Sequence, residues 1–369
     1  MREDITESIK RSSASNGEIV LMFPGQGSQF TGMGKEFLLK NNEFNKYFDI
    51  SSSILGENIL DVINDNEGRG YLLDNTRYSQ IAVYTLSCAI NDYLIERGVI
   101  KKEKVKYVIG HSLGDYSALY SCGAYDFDKG AQLVVFRGRL MAGYKGVAGG
   151  NFSDSGAAKF NPKSEIMNSG AAPAEGAHEK MMMAAVLGSD INTILNILKK
   201  YKDRVFVANY NDYSQVVISG FKDDVLKAGD EIKNNGAKRV IPLKVSVASH
   251  CPLMHEVSIK LQEYLDDNLV NLPDLNYNFF SSTEVKIIKK GSVKEVLVRQ
   301  LVNPVRWLES IEKIVCGDSR GELKVFIEVG PQKVLTGLLR RILSRLGRED
   351  ILTFNTDTLE DIERIINET

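Results

Sequence analysis

Two short apolar runs in this chain each break off at a glycine-rich turn that leads into a helical stretch. Ile19-Val20-Leu21-Met22-Phe23 runs into Pro24-Gly25-Gln26-Gly27-Ser28, and Val105-Lys106-Tyr107-Val108-Ile109 runs into Gly110-His111-Ser112-Leu113-Gly114. Runs of this length bounded by glycine turns read as buried strands. Lys324 to Val329, before Gly330-Pro331, and Asp350 to Phe354 repeat the pattern, each ahead of an amphipathic helix. Strands alternating with helices predict a parallel sheet covered on both faces.

The rhythm changes in the middle. Met182 to Leu187, Val205 to Ala208, Gln215 to Ser219 and Lys238 to Leu243 read as strands, with helices over Ile191 to Lys200 and Asp223 to Asn234. The order β-α-β-β-α-β is that of a ferredoxin-like unit. At ~150 residues per domain, a chain of 369 residues has room for both parts. The expected fold is α/β: a large α/β-hydrolase-like domain with a parallel sheet, over 18–141 and 246–358, and an inserted small ferredoxin-like α+β domain over 181–245. Residues 1–17 mix charges with serines and read as a solvated arm. In residues 142–180, 24 of 39 positions are Ala, Gly, Ser, Pro or Asn, too little apolar area to bury, which predicts a flexible linker.

Forty-six basic against 48 acidic residues leave a net charge of -2, which gives no global field for nucleic acid or an anionic membrane. Any anionic ligand must be met by local cations. The run Ile19 to Phe23 is too short for a signal-peptide core or a membrane span. Cys88, Cys122, Cys251 and Cys316 are scattered, with no C-x-x-C pair, which argues against a disulfide framework and a cysteine zinc site and for a reducing cytoplasm.

Gly110-His111-Ser112-Leu113-Gly114 is G-x-S-x-G between a strand and a helix, the setting of a nucleophile elbow. The flanking glycines are expected to let the backbone turn sharply, so that Ser112 projects at a helix N-terminus where developing negative charge is favoured. A serine needs a base to take its proton. Of four histidines, His111 adjoins the nucleophile and should point elsewhere, His178 sits in the linker, and His255 reads as a helix-surface residue. His250, where the chain re-enters the large domain, is the better base. His250, Cys251 and His255 lack the further ligands of a closed metal site. Gly25-Gln26-Gly27 opens like a dinucleotide fingerprint, but Phe30 occupies the third glycine position, so a nicotinamide reading fails. Such a loop can instead supply an oxyanion N–H, together with the N–H of Leu113. Arg137 and Arg139, two apart on a helix, face different directions, so at most one reaches the site.

These residues resemble the malonyl-CoA:acyl-carrier-protein transacylases and the related acyltransferase domains of polyketide synthases. Phe23-Pro24-Gly25-Gln26-Gly27-Ser28-Gln29 with Gly32-Met33-Gly34 is similar to the family's opening loop, and Gly110 to Gly114 to its nucleophile motif. Arg137-Gly138, Ser249 to Met254, Gln300 to Trp307 and Glu328 to Pro331 follow as its later motifs, in order. The resemblance implies that Ser112 is acylated, that His250 is the general base and acid, and that Gln26 and Leu113 give the oxyanion N–H groups. It also implies that Arg137 holds a carboxylate, with His111 and Gln300 in the substrate-binding set. The histidine is then oriented by a backbone carbonyl near Gln300 instead of an acid, a dyad that fits the lack of any obvious triad aspartate.

Three departures stand out: Asp115 where Glu is usual, Asn209 to Gln215 without the usual Ser-Pro-Gly turn, and the longer linker. None is expected to touch the chemistry. The resemblance implies malonyl transfer from malonyl-CoA to the phosphopantetheine thiol of an acyl carrier protein, without metal or cofactor, by a cytoplasmic monomer serving fatty-acid or polyketide synthesis. An acyl hydrolase and a silent carrier-protein docking module remain as alternatives, and Ser249 before His250 leaves malonyl against methylmalonyl open. The linker composition gives a first expectation: shortening 145–178 leaves the thermal midpoint little changed, because loop closure costs only ~0.6 kcal/mol per doubling of length. Loss of folded protein on deletion would contradict it.

Overall fold

The computed structural model describes residues 17–144, 179–245, 247–319 and 321–368. The expected arm up to residue 16, and the expected linker over 145–178 with His178, lie outside them. The strands are β1 (Glu18–Phe23), β2 (Val105–Gly110), β3 (Met181–Leu187), β4 (Val205–Asp212), β5 (Gln215–Phe221), β6 (Arg239–Pro242), β7 (Asn278–Ser281), β8 (Lys286–Ile287), β9 (Leu323–Glu328) and β10 (Leu352–Asn355).

Six strands form one sheet in the order β10-β9-β1-β2-β7-β8. Every neighbouring pair is parallel except β7 with β8. Alternate residues of β1 divide between two cores: Ile19, Leu21 and Phe23 on one face, Val20 and Met22 on the other. A strand buried on both faces must be apolar throughout, which is why β1 shows no polar alternation. The first face packs against helices that include Gly114–Ser121 and Thr76–Glu96, the latter buried along most of its length. The second is covered by the helices Trp307–Cys316 and Val334–Leu346.

The remaining strands form a sheet in the order β4-β5-β3-β6, antiparallel throughout. The helices Ile191–Leu198 and Lys222–Asn234 pack on one face of it through Ile194, Ile197, Val225, Ala228 and Ile232. This is the ferredoxin-like unit the periodicity predicts. Its β4 is stitched to the main body: Tyr210 N–H donates to the Val305 carbonyl and Val305 N–H to the Ala208 carbonyl, both at 2.8 Å. Arg341 Nε also donates to Asp212 Oδ2 at 2.6 Å.

Several expectations are corrected. The short strands β7 and β8 were not read from the sequence. Gly17 is buried and so belongs to the body, not to the arm. Residues 142 and 143 finish the helix Phe127–Gly143. The body also continues past 358, because the helix Leu359–Glu368 puts Ile362 and Ile365 into the main core.

All parallel strands send their carboxyl ends to one edge, so the turns after β1 and β2 lie side by side there. Phe23 pairs with Gly110 at that edge. A Cβ on Gly114 would fall 2.0 Å from the Phe23 carbonyl oxygen, and one on Gly110 would fall 2.1 Å from the Asp115 nitrogen. Gly114→Ala is therefore expected to destabilise the fold by ~1–3 kcal/mol or more, as overpacking against backbone does. Urea denaturation measures it; an unchanged midpoint would show that the two turns can separate.

Candidate active site

The serine itself makes the turn at the elbow. Ser112 has φ 56, a strained left-handed conformation for a residue with a Cβ. Gly110 and Gly114 permit the sharp turn through close approach, since neither has room for a Cβ, while the positive φ falls on the serine between them. Asp115 N–H then closes the first turn on the Ser112 carbonyl at 3.0 Å, and the helix Gly114–Ser121 follows with Leu113 at its head. The loop after β1 lies against this elbow, where a Cβ on Gly25 would fall 2.3 Å from the His111 carbonyl oxygen. That loop is fastened by Gln26 Nε2 donating to Thr76 Oγ1 at 3.1 Å and Ser28 Oγ to the Gly25 carbonyl at 2.8 Å.

His250 also has a left-handed backbone, φ 61. Its Nε2 lies 2.8 Å from Ser112 Oγ, and its Nδ1 lies 2.7 Å from the Gln300 carbonyl oxygen. A carbonyl only accepts, so Nδ1 carries the hydrogen and Nε2 presents its lone pair to the serine hydroxyl. The imidazole is 4% exposed. Burial, helped by the positive charge of Arg137, pushes its pKa down to about 3. The imidazole is thus neutral near pH 7, with a lone pair facing the serine hydroxyl.

Arg137, on the helix Phe127–Gly143, is 2% exposed. Its Nη2 donates to Gln300 Oε1 at 3.3 Å, and its guanidinium sits 5.6 Å from the Tyr116 ring centre. Nε is buried without a partner, and among the described residues Arg137 forms no ion pair. A buried cation with no counter-charge is costly unless a ligand supplies one. Arg139, as the helix spacing predicts, turns away to the Leu55 carbonyl at 2.8 Å.

Gln300 joins these parts. Its Nε2 donates to the Ser112 carbonyl at 2.7 Å and to Asp115 Oδ2 at 2.6 Å, so both amide hydrogens are committed. The expectation that none of the sequence departures touches the site is corrected twice. Asp115 lies in this network, and Asn211 of β4 reaches His111, with Oδ1 3.0 Å from Nε2. The expectation that the His111 side chain points elsewhere than the nucleophile fits this contact. In sequence Asp115 reads only as an acidic residue where Glu is usual, with no sign of its contact with Gln300, and the β4 junction that brings Asn211 to His111 is invisible there. His255 begins the helix His255–Asn268 and is exposed. Among the described residues no three His, Cys, Asp or Glu side chains converge as a metal site would require, and no helix is long and apolar enough to cross a membrane.

A half-buried serine paired with a buried histidine beside an uncompensated arginine, at the carboxyl edge of a parallel sheet, is a constellation suited to acyl transfer. A profile of the acyl transferase domain matches residues 20–169 and 156–355, and the chain belongs to that family. It is similar to the malonyl-CoA–acyl carrier protein transacylase of Bacillus subtilis, 33% identical over 347 residues that cover 93% of this chain and 95% of the relative. It is 33% identical over 328 residues to a polyketide-biosynthesis malonyl-CoA–acyl carrier protein transacylase of the same species, covering 88% of this chain and 96% of that one. Among solved structures, it is similar to the malonyl-transacylase in complex with its type II polyketide acyl carrier protein. That match has TM-score 0.79 and 29% identity and covers 95% of this chain and 100% of the other. The transacylase of Coxiella burnetii follows with TM-score 0.78, 28% identity and coverage of 96% and 98%.

The depressed histidine pKa sets a pH dependence. In the unfolded chain His250 takes up a proton near 6.5, while the folded protein keeps it neutral to about 3. The unfolded state then binds more protons between these values, so this group's contribution to stability falls as pH drops below 6.5. The folded imidazole stays neutral there. kcat/KM for acylation is expected to hold level from pH 7 to below 6.5, with its acid limb well under the ordinary imidazole value; a limb centred at 6.5 or above would show His250 to be solvated.

Proposed function

We propose that this protein is an acyl-carrier-protein S-malonyltransferase: it moves malonyl from malonyl-CoA through an ester on Ser112 to the phosphopantetheine thiol of an acyl carrier protein. The observation that carries this reading is Arg137, buried beside the dyad without an acidic partner, where a substrate carboxylate completes an ion pair. The relatives' names agree with it.

His250 Nε2 takes the Ser112 proton as Oγ attacks the thioester carbonyl. The N–H groups of Gln26 and Leu113 hold the oxyanion. As the tetrahedral species collapses, the imidazolium returns the proton to the departing CoA sulfur. The carrier thiol then gives its proton to His250 and attacks the ester carbonyl; as the second tetrahedral species collapses, the imidazolium returns that proton to Ser112 Oγ, which leaves as the free serine, a ping-pong sequence. The chain needs no metal or cofactor for these steps. We place it in the cytoplasm as a monomer; its four unpaired cysteines suit a reducing compartment. The product serves fatty-acid or polyketide synthesis.

An acyl hydrolase on the same fold is disfavoured by Arg137, since an uncharged acyl chain has nothing to pair with it. A silent docking module would not need the 2.8 Å contact between Ser112 and His250. Mass spectrometry after mixing with malonyl-CoA is expected to show one malonyl adduct, absent in Ser112→Ala, and His250→Ala is expected to slow transfer by about 10²–10⁴. Hydrogen bonds to charged groups contribute ~1.5–3 kcal/mol, so Arg137→Ala is expected to lower kcat/KM for malonyl-CoA by about ten- to a hundredfold while sparing acetyl-CoA. Malonyl retained by Ser112→Ala, or an equal fall for both thioesters in Arg137→Ala, would overturn the assignment.

A further inference from the structure

Asp115 is wholly buried in the first turn of the elbow helix. It accepts the Gln300 amide at Oδ2, and its Oδ1 makes no hydrogen bond. Arg137 donates to Gln300 Oε1 on the other side of the same amide. No ion pair joins the two charged residue types, although both are sealed in one polar pocket; the amide lies between them.

We propose that Asp115 is a positioning residue that sets selectivity for carboxylated acyl groups by locking the orientation of the Gln300 side-chain amide. This rests on the reading of Arg137 as the carboxylate holder. An amide can fill nearly the same space in two orientations related by a flip that exchanges donor and acceptor. In the flipped state the NH2 group would face the donors of Arg137, and Oε1 would face two acceptors, the Ser112 carbonyl and Asp115. Asp115 and the Ser112 carbonyl together occupy both amide hydrogens, so Oε1 must face Arg137. That contact fixes one arm of the guanidinium and leaves its remaining N–H groups for a substrate carboxylate, in the planar fork that suits two-point binding.

Burial supports the arrangement by raising the Asp115 carboxyl to about 8. Near neutral pH the side chain is then the uncharged acid, whose carbonyl oxygen still accepts from Gln300 and whose neutrality leaves the Arg137 charge for the ligand. A permanently ionised Asp115 would compete with the substrate for that cation.

The lock acts on the Gln300 side chain, whereas His250 is held by the Gln300 main chain. Selectivity and serine reactivity should therefore separate. The test compares Asp115→Ala, Asp115→Leu and Asp115→Asn, reading the ratio of kcat/KM for malonyl-CoA to that for acetyl-CoA, the rate of Ser112 labelling by a fluorophosphonate, and the thermal midpoint. Asp115→Ala is expected to lower the malonyl-to-acetyl ratio about tenfold or more, chiefly through KM for malonyl-CoA, with labelling changed less than threefold. Asp115→Asn keeps a carbonyl acceptor for Gln300 and is expected to restore the ratio to within about threefold of the parent. Asp115→Leu fills the same space without an acceptor, so it replaces Asp115→Ala if that protein does not fold, and the same loss is expected.

An unchanged ratio in the acceptor-less variants would overturn the proposal. So would an equal loss of malonyl transfer, acetyl transfer and labelling, an Asn variant as poor as Ala, or failure of both acceptor-less variants to fold. Arg137→Ala run in parallel separates the two readings: if it leaves the ratio unchanged, the carboxylate-holder assignment fails, whereas a ratio lost in Arg137→Ala and kept in Asp115→Ala sinks only the lock.

Discussion

The close approach of the turns after β1 and β2 is the constraint on which the rest depends. Backbone of the elbow helix lies so near the Phe23 carbonyl that position 114 has no room for a Cβ. Parallel pairing of the two strands brings their carboxyl ends level, and the contact sets the loop after β1 and Ser112 beside one another. Ser112 can hold its left-handed backbone because the segments on either side are fixed: His111 N–H bonds to the Phe23 carbonyl before it and Asp115 N–H to the Ser112 carbonyl after it. Strain of this kind persists only where the surroundings over-determine it.

Given that frame, desolvation governs the chemistry. Burial outweighs every other influence on His250 and Asp115, lowering the first and raising the second. Both are thereby held neutral near pH 7, against the charged forms a solvated histidine at low pH or a solvated aspartate would adopt. Arg137 keeps its charge because a guanidinium scarcely gives up a proton. The pocket thus holds a neutral base, a neutral acid and one cation, an arrangement that favours an anionic ligand and does not spend the base on the cation.

The second sheet matters to the site through a junction, not through its own core. β4 bonds to Val305 by its main chain, and Tyr213 adds a hydrogen bond to Glu312 at 2.6 Å. This brings Asn211 to His111, so the ferredoxin-like unit contributes a side chain beside the elbow. The junction uses ordinary strand hydrogen bonds between segments about a hundred residues apart, and no local propensity encodes it.

The sequence by itself determined the strand–turn–helix elbow at Ser112, the doubly covered parallel sheet and the β-α-β-β-α-β unit, because apolar runs and their periods are local quantities. The ordered motifs likewise pointed to Ser112, His250 and Arg137. Tertiary structure alone decided what those residues experience. That Arg137 lacks a counter-charge, that Gln300 binds Ser112, Asp115 and Arg137 through one side chain, and that Asp115 belongs to the site at all depend on residues 163 and 185 positions apart in the chain. The short strands β7 and β8 were likewise settled only by packing, as was the docking of the C-terminal amphipathic helix, Leu359–Glu368, on the main core. Hydrophobic periodicity names which face of an element is buried; which polar groups are sealed together with it is fixed only when the elements meet.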